Sequence, residues 1–170
     1  MKAVGPAELG MALITGNESP AEMIVIAYGM EEGLRSFYGQ MSSDTDDSEV
    51  SRLFAQLAEI EDRHKKTLFE QYKYLEKDAP AMEAFEQQIV TTVMEGGVTK
   101  EEFLKLNRES LATLEGILTV AMTLETQALD LYLRYSHKSE DQTTRNVFYK
   151  LGDEEKAHLA SLGKLMEEVA

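Results

Sequence analysis

The 170-residue chain contains no cysteine. That absence excludes structural disulfides, thiolate zinc sites, iron–sulfur clusters and any iron centre held by four thiolates. Proline is scarce too: Pro6, Pro20 and Pro80 are the only three, and none interrupts a long periodic stretch. Positive charge is in short supply, with 17 Lys and Arg against 31 Asp and Glu, a formal net charge of −14. An acidic surface repels phosphate backbones and anionic lipid, so neither nucleic acid nor a membrane is an expected partner. No apolar run approaches the roughly 18 residues of a membrane span. The opening stretch, Met1 to Leu13, has a single lysine and no long apolar run, and does not read as a signal peptide. The expected location is the cytoplasm.

What the chain does have is helix-forming sequence throughout, with only short β-branched runs, so the fold class is all-α. Ser19-Pro20-Ala21-Glu22 reads as a capping box with proline at the first helical position, opening a helix to about Ser42. A polar turn, Ser43 to Ser48, leads into a second helix from about Asp47 to Lys77. Then comes a long crossover, Asp78 to about Asn107, expected to hold one helical piece from Ala81 to Met94, then Gly96-Gly97. A shorter piece is expected to open at Thr99-Lys100-Glu101-Glu102. A third long helix is predicted from Arg108 to His137, and Ser139-Glu140-Asp141-Gln142 is read as the cap of a fourth running to the C-terminus. Two antiparallel hairpins joined by one long crossover is the connectivity of a ferritin-like four-helix bundle. The bundle spans residues 19–170, and residues 1–18, with Gly5, Pro6, Gly10 and Gly16, read as an irregular tail.

The strongest pattern is a repeat. Glu31, Tyr38, Glu61 and His64 return 94 positions later as Glu125, Tyr132, Glu155 and His158. All eight lie on the apolar stripe of their helix, among steps of three and four. Those stripes are Ile24, Ala27, Leu34 and Met41; Val50, Phe54, Leu57, Leu68 and Leu75; Leu114, Leu118, Ala121, Ala128 and Tyr135; and Phe148, Leu151, Leu162, Leu165 and Val169. An unpaired buried carboxylate costs several kcal/mol, and four facing each other cost more. Such an interior persists if cations neutralise it or the acids take up protons. No lysine or arginine sits on these stripes at that level, and two divalent metals would balance four carboxylates. Glu-x2-His puts both side chains on one helix face a turn apart, so the Glu can bridge two ions while the His holds one. Carboxylate and imidazole without sulfur suit iron or manganese, and zinc can occupy such a site without redox work. The flanking acids, such as Glu32, Glu59 and Glu154, read as solvated surface. His137, near a helix end, reads as a partner of the helix dipole.

These residues resemble the rubrerythrin branch of the ferritin-like superfamily. The resemblance rests on Glu31 with Phe37-Tyr38, the run Leu53 to His64, Glu125 with Tyr132, and Glu155-Lys156-Ala157-His158, and it spans about Ser19 to Ala170. It implies that Glu61 and Glu155 bridge two iron ions, with Glu31 and His64, and Glu125 and His158, as terminal ligands. It also implies that Tyr38 and Tyr132 support catalysis by hydrogen bonding to ligand carboxylates. Two departures stand out. Rubrerythrins proper carry a further glutamate three residues after the third-helix ligand, where this chain has Ala128. They also carry a rubredoxin domain that feeds electrons to the site, which a chain without cysteine cannot form.

The implied function is a non-haem di-iron oxidoreductase reducing hydrogen peroxide or dioxygen, with electrons from an external donor protein or domain. The competing expectation is a metal-binding or iron-handling protein with little turnover. A homodimer is expected by the same resemblance. Lys2-Ala3-Val4-Gly5-Pro6 further resembles the closing segment of a rhodanese-like domain, which precedes a rubrerythrin-like domain in some proteins.

Overall fold

The computed structural model describes residues 16–95, 103–105 and 107–169, and every regular element among them is helical. In chain order these are α1 (Pro20–Asp44), α2 (Ser48–Leu75), α3 (Met82–Glu95), α4 (Leu114–Lys138) and α5 (Gln142–Val169). A single 3-10 turn, Ser110–Ala112, precedes α4. The rhodanese-like segment at Lys2 to Pro6 and the opening of the short piece at Thr99 to Glu102 lie outside the described residues, while residues 103–105, which follow that opening, are helical.

Local chemistry sets the helix starts. At α1 the capping box closes in both directions: Ser19 Oγ accepts from the Glu22 amide at 3.3 Å, and Glu22 Oε2 accepts from the Ser19 amide at 2.7 Å. At α2 Asp47 accepts from the amides of Glu49 and Val50 at 2.9 and 3.1 Å. Three residues separate α1 from α2 and three separate α4 from α5, so each pair folds back as an antiparallel hairpin. The hairpins meet through α1 against α4 and α2 against α5. This is the ferritin-like bundle.

One boundary differs from the sequence expectation, and one cap narrows to a single residue of its run. α4 begins at Leu114, not Arg108, because Thr113 takes an extended conformation (φ −132°, ψ 151°) and caps the helix by accepting from the Gly116 amide at 3.1 Å. The 3-10 turn folds so closely over the first turn of α4 that a Cβ at Gly116 would collide with the Ser110 carbonyl. α5 is capped by Asp141, which accepts from the Thr144 amide at 2.7 Å and from its hydroxyl at 2.8 Å. Ser139, read as part of that cap, instead closes α4 by donating its hydroxyl to the Tyr135 carbonyl.

The four stripes converge on one core, from Ile24, Ala27, Leu34 and Met41 on α1 to Phe148, Leu151 and Leu162 on α5. The stripes fade at their ends: Leu75, Leu114 and Leu165 are half-buried, and Val169 in the last turn of α5 is 39% exposed.

The crossover docks on the first hairpin through Phe85 of α3. Its ring lies 5.1 Å from Tyr28, 5.1 Å from Phe69 and 4.5 Å from Tyr72. Beside it lies Lys65, a buried lysine that stripe periodicity does not reveal. Its ammonium reaches Glu32 Oε2 at 2.6 Å and Glu86 Oε1 at 2.9 Å, and Glu86 also accepts from the Tyr28 hydroxyl at 2.6 Å. The Tyr28 hydroxyl and the Lys65 ammonium hold the Glu86 carboxyl below its usual range. Replacing Glu86 by alanine leaves two buried donors short of an acceptor. A buried donor stripped of its partner costs about 1–3 kcal/mol. Glu86 is itself over one third exposed, so water makes good part of the loss, and about 1–2 kcal/mol is expected as a shift of the urea midpoint.

Candidate metal centre

Midway along the bundle each hairpin contributes one set of the repeated residues. α1 supplies Glu31 and Tyr38, α2 Glu61 and His64, α4 Glu125 and Tyr132, and α5 Glu155 and His158. The carboxylates and tyrosines are fully buried, and the two imidazoles are 1% and 4% exposed.

Two four-residue clusters result, Glu31–Glu61–His64–Glu155 and Glu61–Glu125–Glu155–His158, each with its ligand atoms within 4.8 Å of one another. They share Glu61 and Glu155. His64 Nδ1 lies 3.4 Å from Glu31 Oε2, 2.9 Å from Glu61 Oε2 and 3.2 Å from Glu155 Oε1. His158 Nδ1 mirrors it, 3.4 Å from Glu125 Oε2, 3.0 Å from Glu155 Oε2 and 3.4 Å from Glu61 Oε1. The imidazole rings stack with centroids 5.5 Å apart and planes 18° from parallel.

The tyrosines cross between hairpins. Tyr38 on α1 donates its hydroxyl to Glu125 on α4, and Tyr132 on α4 donates to Glu31 on α1. Each phenol packs on a further repeat pair, Tyr38 on Phe54 and Tyr132 on Phe148, which sequence reading placed in the core without noting that they too stand 94 apart (148 − 54). Burial and the charges of Glu125 and Glu61 push the Tyr38 phenol well above its ordinary range, so it stays a proton donor.

Electrostatics describe how the residues stand without metal. Burial drives the Glu31 and Glu125 carboxyls well above the normal range, with neighbouring acids adding to it. Burial opposes charge on His158, but its hydrogen bonds to Glu125 and Glu155 win and raise it to about 11. His64 is raised too, the charge of Glu31 and the close approach of the Glu155 and Glu61 carboxylates outweighing burial. Glu155 goes down: burial favours its neutral form, but polar contact with Glu125, the hydrogen bond with His158 and the nearby charge of His64 hold it ionised. Protons thus stand in for cations.

They do so incompletely. Glu31 Oε2, both Glu61 oxygens, His64 Nδ1 and Glu155 Oε1 are buried and make no hydrogen bond. Buried polar atoms are rarely left so. All five belong to the two clusters, and hard oxygen with imidazole nitrogen is a donor set that first-row divalent metals satisfy. The residues fit a pair of such ions.

One contributor differs from the sequence expectation. Glu154, read there as solvated surface, turns toward α2, and its Oε2 lies 2.9 Å from His64 Nε2, the nitrogen facing away from the cluster. Lys65, next to His64 in sequence, pairs with Glu32 and Glu86 instead. His137 sits exposed in the last turn of α4, 6.0 Å edge-on from the ring of Tyr149.

Comparison with known proteins agrees with this architecture. The model of the family described as Rubrerythrin matches residues 22–166. A solved structure, a hypothetical protein from Pyrococcus furiosus, superimposes with a TM-score of 0.67 at 18% identity, over 96% of this chain and 95% of that one. At that identity the likeness shows the shared fold. No significant match is found among curated proteins.

Proposed function

The chain belongs to the rubrerythrin family, and from that premise we propose that it is a non-haem di-iron oxidoreductase reducing hydrogen peroxide or dioxygen with electrons from a separate donor protein. The observation that carries this reading is the pair of buried clusters sharing Glu61 and Glu155, in which both Glu61 oxygens, Glu155 Oε1 and Glu31 Oε2 make no hydrogen bond. Glu61 and Glu155 would bridge. Glu31 with His64, and Glu125 with His158, would be terminal ligands. Two iron ions so held would supply two electrons to an O–O bond.

The chain's own residues do the rest. Tyr38 and Tyr132 donate their hydroxyls to Glu125 and Glu31 and so hold one oxygen of each in place. They are also the nearest phenolic protons to the centre. The surrounding shell of Ala121, Ala128, Leu34, Leu57 and Leu151 is buried and excludes bulk water. The absence of cysteine leaves electron supply to another protein or domain. A homodimer in the cytoplasm is part of the proposal. Among the described residues no helix is long and apolar enough to cross a membrane.

A second reading, metal holding with little turnover, is favoured by Ala128, which offers no extra carboxylate beside the site. Stopped-flow mixing of the Fe(II)-loaded protein with peroxide or with dioxygen, under excess artificial donor, separates the two. Many rapid turnovers with either oxidant support the oxidoreductase. A single slow oxidation with full metal retention favours the holding role.

A further inference from the structure

The two halves of the centre are not equivalent. The 94-residue repeat maps Glu31 onto Glu125, Tyr38 onto Tyr132, Glu61 onto Glu155 and His64 onto His158, and the structure keeps each pair in matching surroundings. It breaks at the residue behind each imidazole. His64 Nε2 meets Glu154 Oε2 at 2.9 Å. The position matching Glu154 on α2 is 154 − 94 = 60, and it holds Ile60, a half-buried aliphatic side chain. His158 therefore receives no carboxylate from that position.

A carboxylate accepting from the outer nitrogen of an imidazole does three things. It keeps the proton on Nε2, leaving the Nδ1 lone pair aimed inward; it stops the ring from rotating; and it makes Nδ1 more basic. Such partners are worth about 10–100-fold in metal affinity. The remaining ligands cannot offset this, because the terminal glutamates are matched, the tyrosines are matched and the two bridging glutamates are common to both clusters.

We infer that Glu154 makes the two metal positions inequivalent, so that the position of Glu31 and His64 fills first and holds its ion, while that of Glu125 and His158 fills second and exchanges. The inference rests on the di-metal reading above and deepens it. Glu154 acts here as a positioning residue: it touches His64 and not the ion.

The test is a titration of metal-free full-length protein with Co2+ at fixed pH, followed by the visible ligand-field bands and by calorimetry. Two successive equivalents are expected, with dissociation constants about 10–100-fold apart. Glu154 is partly exposed, so Glu154→Ala leaves the fold intact and weakens the first step toward the second. Glu154→Gln, which keeps an acceptor without charge, falls between. Ile60→Glu, supplying the missing carboxylate, strengthens the second step. His158→Ala retains the tight step and His64→Ala loses it. Two equal equivalents in the unaltered protein, or an unchanged first step in Glu154→Ala, overturn the inference and leave the di-metal reading standing. No Co2+ bound at all sinks both.

Discussion

Glu61→Ala protein, loaded anaerobically with Fe(II) and desalted, retains at most one ion per chain where the unaltered protein retains two. Glu61 is the residue for which this effect is largest, because its carboxylate belongs to both clusters and neither of its oxygens has another partner. Removing a terminal residue such as Glu125 takes one donor from one position; removing Glu61 takes one from each. Groups that merely orient a metal ligand are worth about 10–100-fold in affinity, so loss of a shared ligand should exceed about 100-fold at both positions. Glu59→Ala is the control. It lies two residues away on the same helix, exposed, and should leave two ions in place. The comparison discriminates a built site from nonspecific uptake by an acidic chain: in the second case both variants lose the same small share. Two tightly held ions in Glu61→Ala would defeat the assignment of Glu61 as a bridge.

Why the centre is legible in sequence and some of its supports are not follows from how each residue is positioned. Glu31, Glu61, Glu125 and Glu155 stand out because a charged group on a stripe of Leu, Ala and Phe contradicts the energetics of burial, and it does so at a fixed offset. The structure brings them together with His64 and His158. Which carboxylate each tyrosine reaches is not local information. Tyr38 pairs with Glu125 and Tyr132 with Glu31 because α1 lies against α4, a consequence of how the hairpins dock. Glu154 escapes periodicity for a related reason. It adjoins the stripe residue Glu155, so on its own helix it points aside; only the approach of α2 makes that flank an interior edge. Lys65 is hidden in the same way by the crossover helix α3, which covers the flank of α1 and α2 that a bare four-helix bundle leaves wet.

The misplaced start of α4 and the choice of cap for α5 have local causes. The apolar spacing of Leu104, Leu111, Leu114 and Leu118 continues through the loop, so a period-based reading starts α4 six residues early. The stop is set by the Thr113 hydroxyl, and by the missing side chain of Gly116 that lets Ser110 close in. At Ser139-Glu140-Asp141 two residues compete to cap α5. Asp141 wins because Ser139 is already engaged in ending α4.

Loading the site raises the thermal midpoint of the chain, and the gain grows as pH rises. A ligand bound only by the folded state at a thousandfold excess over its dissociation constant contributes about 4 kcal/mol, and for a domain of this size each kcal/mol moves the midpoint by about 2–4 °C, so one filled position is worth roughly 8–16 °C. The pH dependence follows from the protons that occupy the centre without metal. Glu31 and Glu125 have carboxyls raised above their unfolded value, so the stability they contribute is present below about pH 4.5 and falls as pH rises. His158 is raised to about 11, so its contribution is complete below its unfolded value near 6.5 and is lost as pH climbs toward 11. Glu155, held low, has the opposite sign, but its contribution is complete once pH exceeds its unfolded value near 4.5. Above about pH 5 the metal-free protein therefore weakens with rising pH. Metal binding needs those same protons gone, so its affinity moves the other way. Calorimetric scans of metal-free and Zn2+-loaded protein at pH 6, 7 and 8 should show the interval between midpoints widening, with chelator returning the loaded form to the lower value. A constant interval would mean that the ions displace no protons and sit outside the buried clusters.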